Sequence, residues 1–166
     1  MPVRPRRRRP PREPGPPRAV VERVRPEIDA GEAPVKRSVG EILEVETDAF
    51  TDGHDLLDVR LLYRRAGQKR FTETPMEDRG NDLYVASFEL TGPGFWEYTV
   101  AASIDRFGSW VRDLAKRSEA GSVTEADLAS GAALLREAAA RAPAGGRAAL
   151  LRAAAALGGG EPLEQR

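Results

Sequence analysis

The chain contains no cysteine. That excludes a disulfide framework, a thiol nucleophile and any cysteine-based metal site, and it suits a reducing compartment. Histidine is almost as scarce, with His54 alone. A metal at His54 needs two or three further converging ligands, and a catalytic imidazole needs a partner nucleophile. Its neighbours Asp52, Gly53 and Asp55 are turn formers that account for the string without either, so no metal and no cofactor is assigned. No run of about 18 apolar residues occurs, so no segment reads as a membrane span. The basic N-terminus lacks the apolar stretch of a signal peptide, and a cytoplasmic protein is expected. A net charge is missing too, with 26 basic against 26 acidic residues. The balance is uneven, because Met1 to Arg18 carries +6 and leaves −6 for the remainder. A polyanion-binding surface over the whole chain is thereby excluded.

Residues 1–18 hold seven prolines and seven arginines with almost nothing to bury, and are read as a disordered or extended Pro/Arg tail. Arg6 to Arg9 would suit a nucleic-acid tether whose grip falls steeply with salt. No aromatic residue interleaves with them to stack on bases, so a solvated tail is the reading and no nucleic-acid partner is expected.

From residue 19 the pattern changes to period two. Phe95 to Ile104 is the clearest strand, with Trp96, Tyr98, Val100, Ala102 and Ile104 on one face. Gly92-Pro93-Gly94 precedes it as a turn. Leu83 to Leu90, where Tyr84, Ala86, Phe88 and Leu90 alternate with Val85, Ser87 and Glu89, is therefore expected to pair with it as a hairpin. Shorter strands are read at Ala19 to Val24, Val35 to Val39, Glu41 to Phe50, Leu57 to Arg64, Phe71 to Thr74 and Ser109 to Leu114. In Glu41 to Phe50, Leu43, Val45, Thr47 and Ala49 face inward, and Glu44, Glu46 and Asp48 face water. Pro75 confines Phe71 to Thr74 to a sheet edge. Short strands at spacings of about 8 to 12 residues are the signature of a β-sandwich.

Beyond Leu114 the composition turns helical. The strings Ser122 to Glu125 and Thr124 to Asp127 both fit a capping box. Leu128, Ala132, Leu135 and Ala139 form a stripe up to Arg141, where Pro143 and Gly145-Gly146 are expected to end the helix. A second helix, Arg147 to Leu157, puts Leu150, Ala154 and Leu157 on one face. So thin a pair buries too little to stand alone and should dock on the sandwich, on further helices or on a partner chain. The boundaries read from sequence are 1–18 for the tail, 19–116 for the sandwich, 122–158 for the helical hairpin and 159–166 for a flexible tail.

Two long strings carry a family resemblance: Pro26 to Asp55, PEIDAGEAPVKRSVGEILEVETDAFTDGHD, and Gly94 to Gly121, GFWEYTVAASIDRFGSWVRDLAKRSEAG. With the Gly80-Asn81-Asp82 turn between them, they resemble the N-terminal domain of α-1,4-glucan:maltose-1-phosphate maltosyltransferases, over about residues 19 to 130. The resemblance implies a mainly β fold, an immunoglobulin-like antiparallel sandwich followed by the start of a helical insert, ahead of a family 13 glycoside-hydrolase-type barrel. It also implies homodimers that transfer maltosyl units from maltose 1-phosphate to α-1,4-glucans. A barrel takes roughly 250 residues, and no βα alternation is present. The carboxylate pair of such an enzyme therefore has no counterpart among these residues, the chain is expected to be inactive alone, and no catalytic residue is assigned.

What remains is a choice of non-catalytic roles. Trp96 and Tyr98 share a face with Val100 and Ile104 and are assigned to the core. Trp110 and Phe95 are the candidate contacts to an α-1,4-glucan, since flat rings are what a sugar-binding surface offers. Lys36, Arg37, Arg106 and Arg112 would reach a phosphate or a neighbouring subunit, or else pair with Asp29, Asp105 or Asp113. The leading expectation is a module for subunit association and acceptor-side architecture in a maltosyltransferase. The alternative is a free-standing carbohydrate-binding module.

Overall fold

The computed structural model describes residues 19–159. The tail expected at 1–18, and all but the first residue of the one at 159–166, lie outside the described residues. In chain order the strands are β1 (Ala19–Arg25), β2 (Ile42–Thr51), β3 (Leu56–Arg65), β4 (Thr72–Pro75), β5 (Glu77–Asp78), β6 (Leu83–Glu89) and β7 (Trp96–Asp105). Three helices follow, α1 (Arg106–Glu119), α2 (Glu125–Arg141) and α3 (Ala144–Gly158). The strands form two sheets, one of order β1-β2-β6-β5 and one of order β4-β3-β7. The pairings of β2 with β1 and β6, and of β3 with β4, are antiparallel. The chain divides into two compact units, one holding the residues up to Gly53 with Val59–Ser103, the other His54–Asp58 with Ile104 onward.

Within the first unit, period-two alternation does what it should. Leu43, Val45, Thr47 and Ala49 of β2 are all buried, and so are Val59 and Leu61 of β3 and Tyr84 and Phe88 of β6. These two apolar faces meet through rings: Phe88 of β6 lies 4.3 Å from Tyr63 of β3, 5.8 Å from Trp96 and 6.1 Å from Tyr98. Thr47 is fully buried yet satisfied, its hydroxyl donating to Glu22 O at 2.9 Å.

The expected hairpin of Leu83 to Leu90 with Phe95 to Ile104 is not formed. β6 pairs with β2 and β5, and β7 belongs to the sheet of β3. The Gly92-Pro93-Gly94 turn carries the chain from one sheet to the other, so the apolar faces of the two strands oppose each other instead of lying side by side. Val35 to Val39 makes no ladder, and the chain there is irregular up to a turn at Val39-Gly40. Phe71 to Thr74 is β4, shifted by one residue and at a sheet edge as Pro75 required. Asp48 is buried and not solvated, because a bulge between Glu22 and Arg25 turns Arg23 to φ 52° and brings its guanidinium onto the Asp48 carboxylate.

In the second unit, Ser109 to Leu114 is helical, part of α1. Asp105 caps α1, its carboxylate accepting from Gly108 N at 2.8 Å, and Phe107, Trp110, Val111 and Leu114 then follow at helical spacing. Thr124 and Asp127 form the predicted capping box at the start of α2. α2 ends at Arg141 as expected, just before Pro143, which also serves as the N-cap of α3; α3 starts at Ala144 and not at Arg147, with Gly145 and Gly146 in its first turn. Ala132, Leu135 and Ala154 form the buried seam between α2 and α3, with Leu150 and Leu157 packed against it.

Candidate functional site

The first unit carries an open groove of about 1140 Å³. One wall is the Pro26 to Val39 loop, the other is the Gly92 to Thr99 stretch, and Leu43 and Leu90 contribute to its lining. The loop is pinned at several points. A short 3-10 turn at Asp29–Gly31 sits inside an Ile28–Ala33 bridge, with Ile28 O accepting from Gly31 N at 3.0 Å and from Ala33 N at 3.2 Å. The Tyr98 hydroxyl donates to Pro26 O from the strand beneath. At the far end Gly40 N donates to Leu90 O, and Leu90 N donates to Glu41 O, both at 2.9 Å.

Arg65 at the end of β3 fixes the opposite wall. Its guanidinium donates to Pro93 O and lies 6.0 Å from the centre of the Trp96 ring. Trp96 in turn donates its indole N–H to Gly92 O at 3.2 Å. Gly94 has φ 116°, a backbone setting that favours glycine. With Trp96 turned inward, Phe95 takes the opposite phase of the strand and stands 72% exposed.

The electrostatics of the groove are mixed. Burial pushes the Tyr98 hydroxyl above its ordinary range, an effect that Arg37 counters and Glu27 adds to. Arg37 lies 4.0 Å from Glu41 in an i,i+4 pair. Lys36, Glu27 and Glu32 also line the groove. Such a place can hold an elongated ligand by ring contact and rim charges. Among the described residues no group of three or more His, Asp or Glu gathers to hold a metal ion. No helix among them is long and apolar enough to cross a membrane.

The two aromatic residues singled out from sequence lie in different units. Phe95 lines the groove of the first. Trp110 belongs to the second and is half-buried, its indole N–H donating to Asp127 O at 2.8 Å and its benzene ring lying on Gly131 of α2. Phe107 tilts against it at 5.4 Å. Trp96 and Tyr98, assigned to the core, are half-buried and line the groove as well. Of the cations, Arg112 pairs with Asp113 as sequence suggested, and Arg106 pairs with Glu137 instead of Asp105. His54 is exposed in its turn. Sequence reasoning did not single out Arg65, Glu27 or Glu32. No local signal marks Arg65, whose partner Pro93 is 28 residues away.

Comparison with known proteins bears on the same residues. The family described as α-1,4-glucan:maltose-1-phosphate maltosyltransferase, domain N/S, matches residues 17–166. Among curated proteins, the α-1,4-glucan:maltose-1-phosphate maltosyltransferase of Chlorobaculum tepidum is 46% identical over 125 residues, covering 75% of this chain and 19% of that protein. The protein of the same name in Salinibacter ruber is 42% identical over 129 residues, 76% of this chain and 20% of its own length. That of Burkholderia pseudomallei is 32% identical over 151 residues, 90% of this chain and 13% of its own. The chain thus spans about a fifth or less of the curated relatives it matches. With the family matched from the first strand through the last helix, the chain belongs to the domain N/S family of α-1,4-glucan:maltose-1-phosphate maltosyltransferases.

Proposed function

We propose that this chain is a non-catalytic module of a cytoplasmic maltosyltransferase that extends α-1,4-glucans from maltose 1-phosphate, and that it serves subunit association and the architecture of the acceptor side. The observation that carries this is the domain N/S match over residues 17–166, together with a relative of which the aligned stretch is only 19%. Two features of the helical unit support the association role. Leu151 of α3 is 43% exposed, and Phe107 and Val111, one helical turn apart on α1, are 42% and 45% exposed. Apolar side chains held outward on rigid helices are what a subunit contact uses.

Two measurements on the full chain test the reading. Phosphate release from maltose 1-phosphate with a maltooligosaccharide acceptor should stay at background; turnover would sink the non-catalytic assignment. Sedimentation equilibrium should show self-association that weakens in the Leu151→Asp or Val111→Asp variants. A strict monomer at high concentration would remove the association role.

A second reading, a glucan-binding module, is favoured by one observation, the exposed Phe95 ring on the groove wall. Calorimetric titration with maltoheptaose decides it: millimolar or tighter binding that disappears in Phe95→Ala supports sugar recognition, and no heat of binding ends it.

A further inference from the structure

The groove pairs an apolar lining with charges of both signs on its loop wall, Glu27 and Glu32 at one end and Lys36 and Arg37 at the other. Phe95 is exposed, Trp96 and Tyr98 are half-buried, and prolines 26, 34 and 93 also line it. On the loop, Glu27 and Glu32 line the groove with Asp29 between them. None of these three carboxylates has an ion-pair partner among the described residues. A ligand matched to such a surface has a ridged apolar edge and cations beside it. An extended proline helix of three residues per turn offers that edge, and aromatic-lined grooves recognise it.

The sequence of residues 1–18 has the proline spacing that such an edge needs. Pro2, Pro5, Pro11, Pro14 and Pro17 fall in a single three-residue register, and Arg8 fills the gap. That is five of the seven prolines in the segment, where chance would put about a third in any one register. The same segment carries +6. We propose that Met1 to Arg18 of this same chain docks its proline edge on Phe95, Trp96 and Tyr98, with its arginines against Glu27, Asp29 and Glu32.

Reach permits it. The segment joins β1 at Ala19, and Val24, five residues on, lines the groove. That is about 17 Å of strand, against about 55 Å for 18 residues of extended proline helix. Residues from Pro14 toward the N-terminus are therefore within reach of the groove. Tethering supplies an effective concentration of about millimolar, so a weak contact suffices. The inference goes beyond the module reading above and stands or falls without it.

The test uses the ¹⁵N-labelled full chain, in which the two indole N–H signals report separately on the groove (Trp96) and on the helical unit (Trp110). Replacing the edge (Pro11→Ala, Pro14→Ala, Pro17→Ala) while keeping every arginine should move the Trp96 indole signal and the amides of Glu27 to Arg37. Trp110 should stay in place. Replacing the off-edge prolines (Pro10→Ala, Pro16→Ala) should move neither. No response at Trp96 to the edge variant, or an equal response to the off-edge variant, overturns the proposal. A response that scales with protein concentration assigns the contact to a second copy and overturns it as well. So does a groove that shifts with maltoheptaose but ignores both sets of proline changes.

Discussion

Tyr63 and Phe88 stack with ring centres 4.3 Å apart and planes 15° apart, one residue from each sheet. Phe88 is also within 5.8 Å of Trp96 and 6.1 Å of Tyr98, so a single side chain of β6 touches three rings of the opposite sheet. Its removal leaves a cavity that three rigid rings cannot collapse to fill. Phe88→Ala should cost about 3–5 kcal/mol, read from urea unfolding followed at the Trp96 signal. A double-mutant cycle with Tyr63→Leu should return about 0.5–1.5 kcal/mol of coupling beyond area burial. A loss below 1 kcal/mol for Phe88→Ala would mean that the two sheets are held elsewhere.

Gly131 is buried within α2, and the Trp110 benzene ring occupies the place a Cβ there would take. In an open helix, Gly→Ala stabilises by roughly 0.5–1 kcal/mol. Here the new methyl would overlap the Trp110 ring, and overpacking of that kind costs about 1–3 kcal/mol. The overlap wins, so Gly131→Ala should be less stable than the parent by about 1 kcal/mol or more. Pairing it with Trp110→Leu should recover most of the loss. A stabilised single variant would mean that Trp110 is free to leave α2.

How legible all of this was depends on how local the cause is. The inner face of β2 could be read because alternation alone decides it, and Leu43, Val45, Thr47 and Ala49 are all buried. Alternation does not say which strand is the neighbour. The apolar faces of β6 and β7 match equally well side by side or face to face, and only the length of the Gly92-Pro93-Gly94 crossing separates the two. Ser109 to Leu114 shows a similar ambiguity, since six residues fit period 2 and period 3.6 alike. Extending the window back to the Asp105 cap and Phe107 resolves it in favour of helix. The groove was beyond sequence reading, because its walls meet through Tyr98 and Pro26, which are 72 residues apart.

The start of α2 rests on Thr124, whose hydroxyl accepts from Asp127 N at 3.3 Å and donates to Asp127 Oδ2 at 2.7 Å. Asp127 completes the box by accepting from Thr124 N at 2.9 Å, and Arg117 lies against its other oxygen. Thr124→Ala removes the cap and should cost about 1 kcal/mol, with fraying confined to the first turn of α2 in amide exchange. Thr124→Ser should restore most of it. An alanine variant with unchanged exchange would show that the docking of Trp110 on Gly131, and not the cap, fixes where α2 begins.

The same residues set a pH dependence. Hydrogen bonds from the Thr124 side chain and backbone, helped by Arg117, hold Asp127 below its ordinary 3.8. Arg106 first, then Arg141, hold Glu137 below its ordinary 4.5. A carboxylate with a depressed folded-state pKa binds fewer protons folded than unfolded, so its contribution is complete above the ordinary value and is lost as pH falls through the depressed one. The helical unit should therefore weaken on acidification below about pH 4.5, where both groups begin to protonate in the unfolded chain. Both carboxylates are solvent-accessible, so the effect is modest and shrinks with added salt. Glu137→Gln should lower the melting temperature slightly at pH 7 and flatten its fall between pH 5 and pH 3, as thermal unfolding followed by helical circular dichroism would show. An unchanged slope in that variant would mean that the Arg106–Glu137–Arg141 cluster ties α1 to α2 too weakly to register in stability.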